Sequence, residues 1–137
     1  MTKRNKIIYW IATIWLSLGM ASTGIVQLLK LKGDGPGSLD TMTHLGYPAY
    51  FVTILGISKI LGVIALLIPK YPLLKEWAYA GFFFMMSGAI FTHIAAGSPM
   101  GEIFPSLLLL ILIVISWYFR PSDRKIVSVD HLNKSLA

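Results

Sequence analysis

The chain has 137 residues, the length of one domain, and 55% of them are hydrophobic, against roughly 45–50% in an ordinary soluble domain. Only 13% are charged, about half the usual share, which leaves the apolar segments without the charged faces that a water-soluble helical bundle needs. The lack of cysteine excludes disulfides, Cys-x-x-Cys redox pairs and thiolate metal sites. These values predict an integral membrane protein. Its net charge of +6 then indicates cytoplasmic anionic lipid as the partner of the basic residues, and no nucleic acid.

Four apolar segments are long enough to cross a bilayer, whose hydrocarbon core takes about 20 helical residues. They run over about 7–29, 47–68, 77–96 and 103–119. A basic head (1–6), a glycine-rich loop (30–46), a basic turn (69–76), a short loop (97–102) and a basic tail (120–137) separate and flank them. The head and first span also suit a signal peptide, but the apolar run exceeds the roughly 7–15 residues of that class. The sequence therefore predicts an all-α fold, a membrane four-helix bundle with four transmembrane helices in up-down topology.

Lysine and arginine are distributed unevenly between the two sides of this bundle. Nine of the twelve lie in the head, the basic turn and the tail, two lie in the first loop, and one lies within a span. The nine are Lys3, Arg4, Lys6, Lys70, Lys75, Arg120, Arg124, Lys125 and Lys134. Because positive residues concentrate on the cytoplasmic side, this count predicts that both termini are cytoplasmic. Interfacial aromatic residues near the same side agree with it: Trp10, Trp77, Trp117 and Tyr118.

Lys59 lies near the middle of the second span, where a lysine costs about 2.5–3.5 kcal/mol on insertion scales. Gly56 and Gly62 share its helix face, which predicts close approach of another helix and an interior position for Lys59. Its functional interpretations are a contact to an anion or a quinone oxygen, or a proton-relay amine. The structural interpretation is a lysine held by backbone carbonyls, or a neutral one. A pair with Glu76 also stays open, since folding about the turn leaves the two roughly 9 Å apart along the axis.

A second group of polar residues is predicted at the outer mouth of the bundle. His93 lies about one turn inside the outer end of the third span, level with Pro48 of the second. His44, Tyr47 and Glu102, with Asp40 beside them, are expected to gather around it. Histidine can shuttle protons or ligate a metal, but these residues lack the i, i+4 spacing of a specific metal motif. We therefore predict no metal site, and the alternative role of His93 is a hydrogen bond to a tyrosine or a backbone carbonyl.

Four short motifs follow one another along the middle of the chain. They are Tyr47-Pro48-x-Tyr50, Gly56-x-x-Lys59-x-x-Gly62, Leu74-Lys75-Glu76-Trp77-Ala78-Tyr79-Ala80-Gly81, and Ser87-Gly88-Ala89 with His93-x-Ala95-Ala96-Gly97. In order and spacing they resemble the DoxX-like family of small bacterial membrane proteins, over roughly residues 8 to 120. The resemblance implies a four-helix bundle in the bacterial inner membrane. It also implies a link to redox complexes, because family members include a subunit of thiosulfate:quinone oxidoreductase. By that resemblance Lys59, Glu76 and His93 are the site residues.

Three functional hypotheses follow. The first is an accessory subunit of a membrane redox system, whose polar pocket around Lys59 engages a quinone or a similar amphiphile without a covalent cofactor. The second is a non-enzymatic assembly factor or scaffold, in which Lys59 meets an acidic residue of another membrane protein. The third is a small transporter of protons or organic anions, which four spans would suit only as a homo-oligomer. The sequence assigns no catalytic residue and leaves open whether the protein is an enzyme.

Overall fold

Five helices make up the protein in a computed structural model that describes residues 2–30, 32–33 and 38–121. They are α1 (Lys3–Leu28), α2 (Leu39–His44), α3 (Ala49–Leu67), α4 (Pro72–Ala95) and α5 (Met100–Tyr118). All but α2 are long and apolar enough to cross a membrane, and the described residues contain no strand. The predicted all-helical fold with four apolar spans is thereby confirmed.

Several helix boundaries differ from the predicted ones. Helix α4 begins at Pro72 rather than at 77, because proline suits the first helical turn, where its missing N–H has no helical partner to lose. The basic turn at 69–76 is correspondingly shorter, and Lys75 belongs to the helix. Helix α5 begins at Met100, so Pro105 lies inside it rather than in the first turn. Most of the predicted basic head belongs to α1, which begins at Lys3 after the N-cap Thr2.

The first loop contains a helix that was not predicted. The Ser38 hydroxyl caps α2 by accepting a hydrogen bond from the Thr41 N–H, and Asp40 follows in the first turn, where a carboxylate is favourable. The glycine-rich core of the loop at 34–37 and the tail from 122 onward lie outside the described residues.

The four long helices form a closed ring of neighbours in the order α1, α3, α4, α5 and back to α1. Glycine permits the closest of these contacts. A Cβ atom on Gly56 of α3 would lie 2.9 Å from the Gly24 carbonyl oxygen of α1, and one on Gly24 would lie 3.1 Å from the Lys59 Cβ. The predicted close approach on the Lys59 face is therefore observed. Between the helices lies a core centred on Leu16, Met20, Leu66 and Phe82.

Buried polar contacts join the helices at the end of the bundle where α3 ends and α4 begins, here called the Lys75 end. Lys75, predicted to lie in the basic turn, belongs to α4 and is only 1% exposed. Its ammonium group donates a 2.8 Å hydrogen bond to the Ala65 carbonyl oxygen and another to that of Ile68. Carbonyl groups in the last turn of a helix have no partner within the helix, so Lys75 completes the hydrogen bonding of α3.

A hydroxyl network ties three helices together near the same end. Ser116 of α5 lies at its centre, with its Oγ atom 2.6 Å from Thr13 Oγ1 of α1 and 2.7 Å from the Tyr79 hydroxyl of α4. All three side chains are buried. Mutual hydrogen bonding spares these polar groups the cost of burial in an apolar interior. This end of the bundle is thus closed by side chains that satisfy one another.

Candidate functional site

A cavity of about 350 Å³, here called the central cavity, lies at the opposite end of the bundle from Lys75. Its walls come from the end of α1, from α2, from the first half of α3, from the end of α4 and from the beginning of α5. Most of the lining is apolar, including Phe51, Leu55, Phe84, Met86 and Leu109. The polar side chains among the lining residues are Thr23, Gln27, Thr41, Tyr47, Lys59, Thr92, His93, Glu102 and Ser106. The two predicted groups, Lys59 and the outer mouth, therefore border one space.

Lys59 projects from α3 toward α1 and is only 5% exposed. Its ammonium group donates a 3.2 Å hydrogen bond to the Thr23 hydroxyl. That hydroxyl in turn donates to the Gly19 carbonyl oxygen at 3.0 Å, so toward Lys59 it can act only as an acceptor. None of the ion pairs formed by the described residues involves Lys59. The buried Lys59 amine in the cavity wall is thus held by one neutral hydroxyl.

Gln27 lies one turn beyond Thr23 on the same face of α1 and is 1% exposed. Its Oε1 atom is buried and has no hydrogen-bond partner among the described residues. Buried polar atoms normally have partners, so an orphaned amide oxygen in a cavity wall marks a place where a bound molecule can form a hydrogen bond. Lys59 thus has N–H donors, and Gln27 an amide oxygen, that form no hydrogen bond with any side chain of the described residues.

The mouth of the cavity is formed by three of the predicted residues. His93 Nδ1 lies 3.1 Å from Ser98 Oγ and 3.9 Å from the Glu102 carboxylate, an ion-pair distance when the imidazole is protonated. The Tyr47 hydroxyl lies 2.7 Å from Thr92 Oγ1, which in turn donates to the Gly88 carbonyl oxygen. These contacts hold an acid, an imidazole and a phenol at one opening, which is a combination that can transfer protons.

Two other residues predicted at the mouth lie elsewhere. His44 is exposed near the end of α2 and does not line the central cavity. The Asp40 carboxylate accepts a 2.9 Å hydrogen bond from the Gly33 N–H and thereby braces the first loop. Among the described residues, no cluster of three or more histidine and acidic side chains is placed to hold a metal ion.

Glu76, a candidate partner of Lys59, lies at the Lys75 end and does not border the central cavity. Its Oε1 atom is 2.8 Å from Arg120 Nε, an ion-pair contact without hydrogen-bond geometry. Its Oε2 atom accepts a 3.0 Å hydrogen bond from the Trp117 indole N–H, and the Arg120 guanidinium stacks 4.5 Å from the centre of the same ring. Glu76 thus pairs with Arg120, and the suggested Lys59–Glu76 pair is not formed.

Thr23 and Gln27 line the central cavity but were not among the predicted site residues. Both lie on α1, an apolar helix. Their i, i+4 spacing with Gly24 between them is a signal, because it places two polar groups beside the point where another helix approaches. The spacing does not predict which helix packs against these two residues.

Comparison with known proteins agrees with this architecture. The sequence model of the DoxX-like family matches residues 11–116, a range that includes every lining residue of the central cavity. No curated protein and no solved structure matches the chain. The family match covers well over half of the chain, and the four long apolar helices agree with it. The chain therefore belongs to the DoxX-like family and is a multi-pass helical membrane protein.

Proposed function

We propose that this protein binds a quinone or a similar amphiphile in the central cavity, as an accessory subunit of a membrane redox system. The observation that carries the proposal is Lys59, a buried ammonium group in the cavity wall whose hydrogen-bond partner is a single hydroxyl. A charged group at this depth is costly unless other groups compensate it. A ligand oxygen placed against Lys59 supplies that compensation.

The shape of the cavity suits such a ligand. Its volume of about 350 Å³ falls within the roughly 300–1,000 Å³ of small-molecule sites, which are mostly apolar with a few placed polar groups. The aromatic and aliphatic walls favour a ring, while Lys59 lies inside and His93 with Tyr47 at the mouth. A ring with oxygen atoms on opposite sides can form hydrogen bonds with Lys59 and with the mouth residues at the same time. The mouth residues can then supply or remove protons as the ring is reduced or oxidised.

Electrons reach such a ligand from another protein. The chain has no cysteine, so none of its own side chains can form a disulfide pair or ligate an iron–sulfur cluster through thiolates. A membrane or membrane-associated redox partner is therefore part of the proposal. We assign no catalytic residue, and the roles of Lys59 and His93 are to bind the ligand and to handle its protons.

The membrane orientation belongs to the same proposal. The four long helices cross the bacterial inner membrane in up-down order with both termini in the cytoplasm. The distribution of lysine and arginine supports this, and so does the cluster of Trp117, Glu76 and Arg120 at the Lys75 end, where an amphipathic ring meets charged groups. In this orientation the central cavity opens toward the outer side of the membrane.

The interior position of Lys59 argues against one form of the scaffold hypothesis. In that form an acidic residue of another membrane protein pairs with Lys59. Such a residue would have to enter the bundle, because Lys59 is 5% exposed and faces α1.

Purification from native membranes tests the proposal. Lipids and quinones bound to the wild-type protein, to Lys59→Met and to Lys6→Met are extracted and quantified by mass spectrometry, with copurifying proteins identified in parallel. Lys6 is an exposed lysine of α1, so its substitution removes the same charge outside the cavity. We expect quinone with the wild type and with Lys6→Met, and its loss from Lys59→Met. Equal amounts in all three samples, or none in any, would contradict the proposal.

A further inference from the structure

We infer that the head group of the ligand is an acid that binds as its anion, such as a quinone ring with an ionisable hydroxyl beside a carbonyl, with the charged oxygen against Lys59. This inference rests on the proposed function, since it takes a quinone-like amphiphile in the central cavity as given. It narrows the ligand from any quinone to a class that carries a negative charge.

The charges that border the cavity support this choice. Lys59 is buried, and none of the ion pairs formed by the described residues includes it. An ammonium group has three N–H donors, of which Thr23 accepts one. A neutral carbonyl would accept a second hydrogen bond but would leave the buried charge without a counter-charge. An anionic oxygen supplies both, and charge-assisted hydrogen bonds are about twice as strong as neutral ones.

Gln27 provides a place for a second oxygen of the same head group. Its side chain lines the cavity, is 1% exposed, and carries an amide oxygen without a partner among the described residues. It follows Thr23, the partner of Lys59, by one helical turn, so Gln27 and Lys59 border the same part of the cavity. In the anion the charged oxygen and the adjacent carbonyl are both acceptors, so Lys59 donates to the charged oxygen and the Gln27 amide donates through its nitrogen to the carbonyl. Two adjacent oxygen atoms on one ring edge therefore match these two donors.

Among the residues that line the cavity, Glu102 and His93 are the acidic and basic side chains besides Lys59, and they favour the same placement of the charge. The Glu102 side chain is 47% exposed at the mouth and lies 3.9 Å from His93 Nδ1. Solvent there screens its repulsion of an anion. Lys59 lies deeper and lacks such screening. The anionic end of a ligand is therefore drawn inward, and its neutral end stays beside Glu102.

A pair of matched probes tests the inference. Lawsone is a hydroxynaphthoquinone whose enol is ionised at neutral pH, and its methyl ether has nearly the same shape without the charge. Binding of each to the full-length protein in detergent is measured by equilibrium dialysis, for the wild type, Lys59→Met, Lys59→Arg, Glu102→Gln and the control Lys6→Met. Size-exclusion profiles and thermal unfolding show whether each variant is folded.

We expect the wild type and Lys6→Met to prefer lawsone by roughly ten- to hundredfold, the range of a hydrogen bond to a charged group. We expect this preference to disappear in Lys59→Met and to be undiminished in Glu102→Gln. It should persist in Lys59→Arg, which keeps the positive charge and so serves as the test if Lys59→Met does not fold. Equal affinity of the wild type for both probes would overturn the inference while leaving the proposed function intact. A preference that survives Lys59→Met would also overturn it. If neither probe binds and native preparations contain no quinone, both this inference and the proposed function are refuted.

Discussion

The Lys59 ammonium group donates a 3.2 Å hydrogen bond across the bundle to the Thr23 hydroxyl, which links α3 to α1 at the wall of the central cavity. The Thr23 hydroxyl in turn donates a hydrogen bond to the Gly19 carbonyl oxygen of the preceding turn. Because the Thr23 hydroxyl donates to Gly19, it accepts from Lys59 and so orients the lysine side chain. Lys59 is therefore a fixed hydrogen-bond donor in the wall of the mostly apolar central cavity.

Thr23→Val removes the hydroxyl and keeps the shape of the side chain. We expect a loss of roughly 1–3 kcal/mol in the free energy of unfolding, because the substitution takes the hydrogen-bond acceptor from a buried charge. Thermal unfolding in detergent measures it, and Thr23→Ser should stay close to the wild type. In a Lys59→Met background the cost of Thr23→Val should largely vanish, since the coupled pair is already broken. An undiminished cost there would show that Thr23 stabilises the bundle independently of Lys59.

Gly56→Ala separates two helices that touch through their backbones. The added Cβ would lie 2.9 Å from both the Gly24 carbonyl oxygen and the Leu28 nitrogen, which belong to main chain and cannot rotate aside. We expect destabilisation by roughly 1–3 kcal/mol, the usual cost of overpacking. Gly81→Ala is the matched control, because a Cβ on Gly81 meets nothing within 4 Å. It should be neutral or stabilising by up to about 1 kcal/mol, since alanine favours a helix. Equal melting temperatures for the two variants would refute the close contact.

Lys75→Met deprives the last turn of α3 of its donor. The Ala65 and Ile68 carbonyl oxygens both accept from the Lys75 ammonium group and would lose that partner inside the protein. We expect a lower melting temperature in detergent, corresponding to roughly 1–3 kcal/mol. Lys70→Met, five residues earlier and exposed, should change it little. Because Lys75 lies at the opposite end of the bundle from the cavity, retained quinone per folded molecule should be unchanged, and a selective loss of ligand would contradict this separation.

The absence of cysteine makes the proposed orientation easy to examine. Single substitutions Thr43→Cys in α2 and Lys70→Cys in the turn before α4 place thiols at exposed positions at opposite ends of the bundle. With both termini in the cytoplasm, a membrane-impermeant maleimide added to intact spheroplasts should label Thr43→Cys at once. It should label Lys70→Cys only after the membrane is opened. The reverse pattern would invert the orientation and direct the cavity toward the cytoplasm.

The sequence by itself determined the four apolar helices and the interior position of Lys59. Length and hydropathy identify a bilayer-spanning helix because the hydrocarbon core is about 30 Å thick and every backbone group must bond within its own helix. The face of α3 that carries Gly56 and Lys59 follows from helical periodicity, which is a local property. Both features depend on residues close together in the chain, and both are observed in the structure.

The tertiary structure alone decided which polar residues meet. Glu76 pairs with Arg120 rather than with Lys59, and Lys75 turns inward to the end of α3. Of the three residues that the resemblance grouped into one site, Lys59 and His93 line one cavity and Glu76 does not. Such pairings depend on how each helix is rotated and shifted against its neighbours, which is set by packing around the whole ring of helices. The spacing of residues along any one helix carries no information about that rotation, so the sequence could name the polar residues but not their partners.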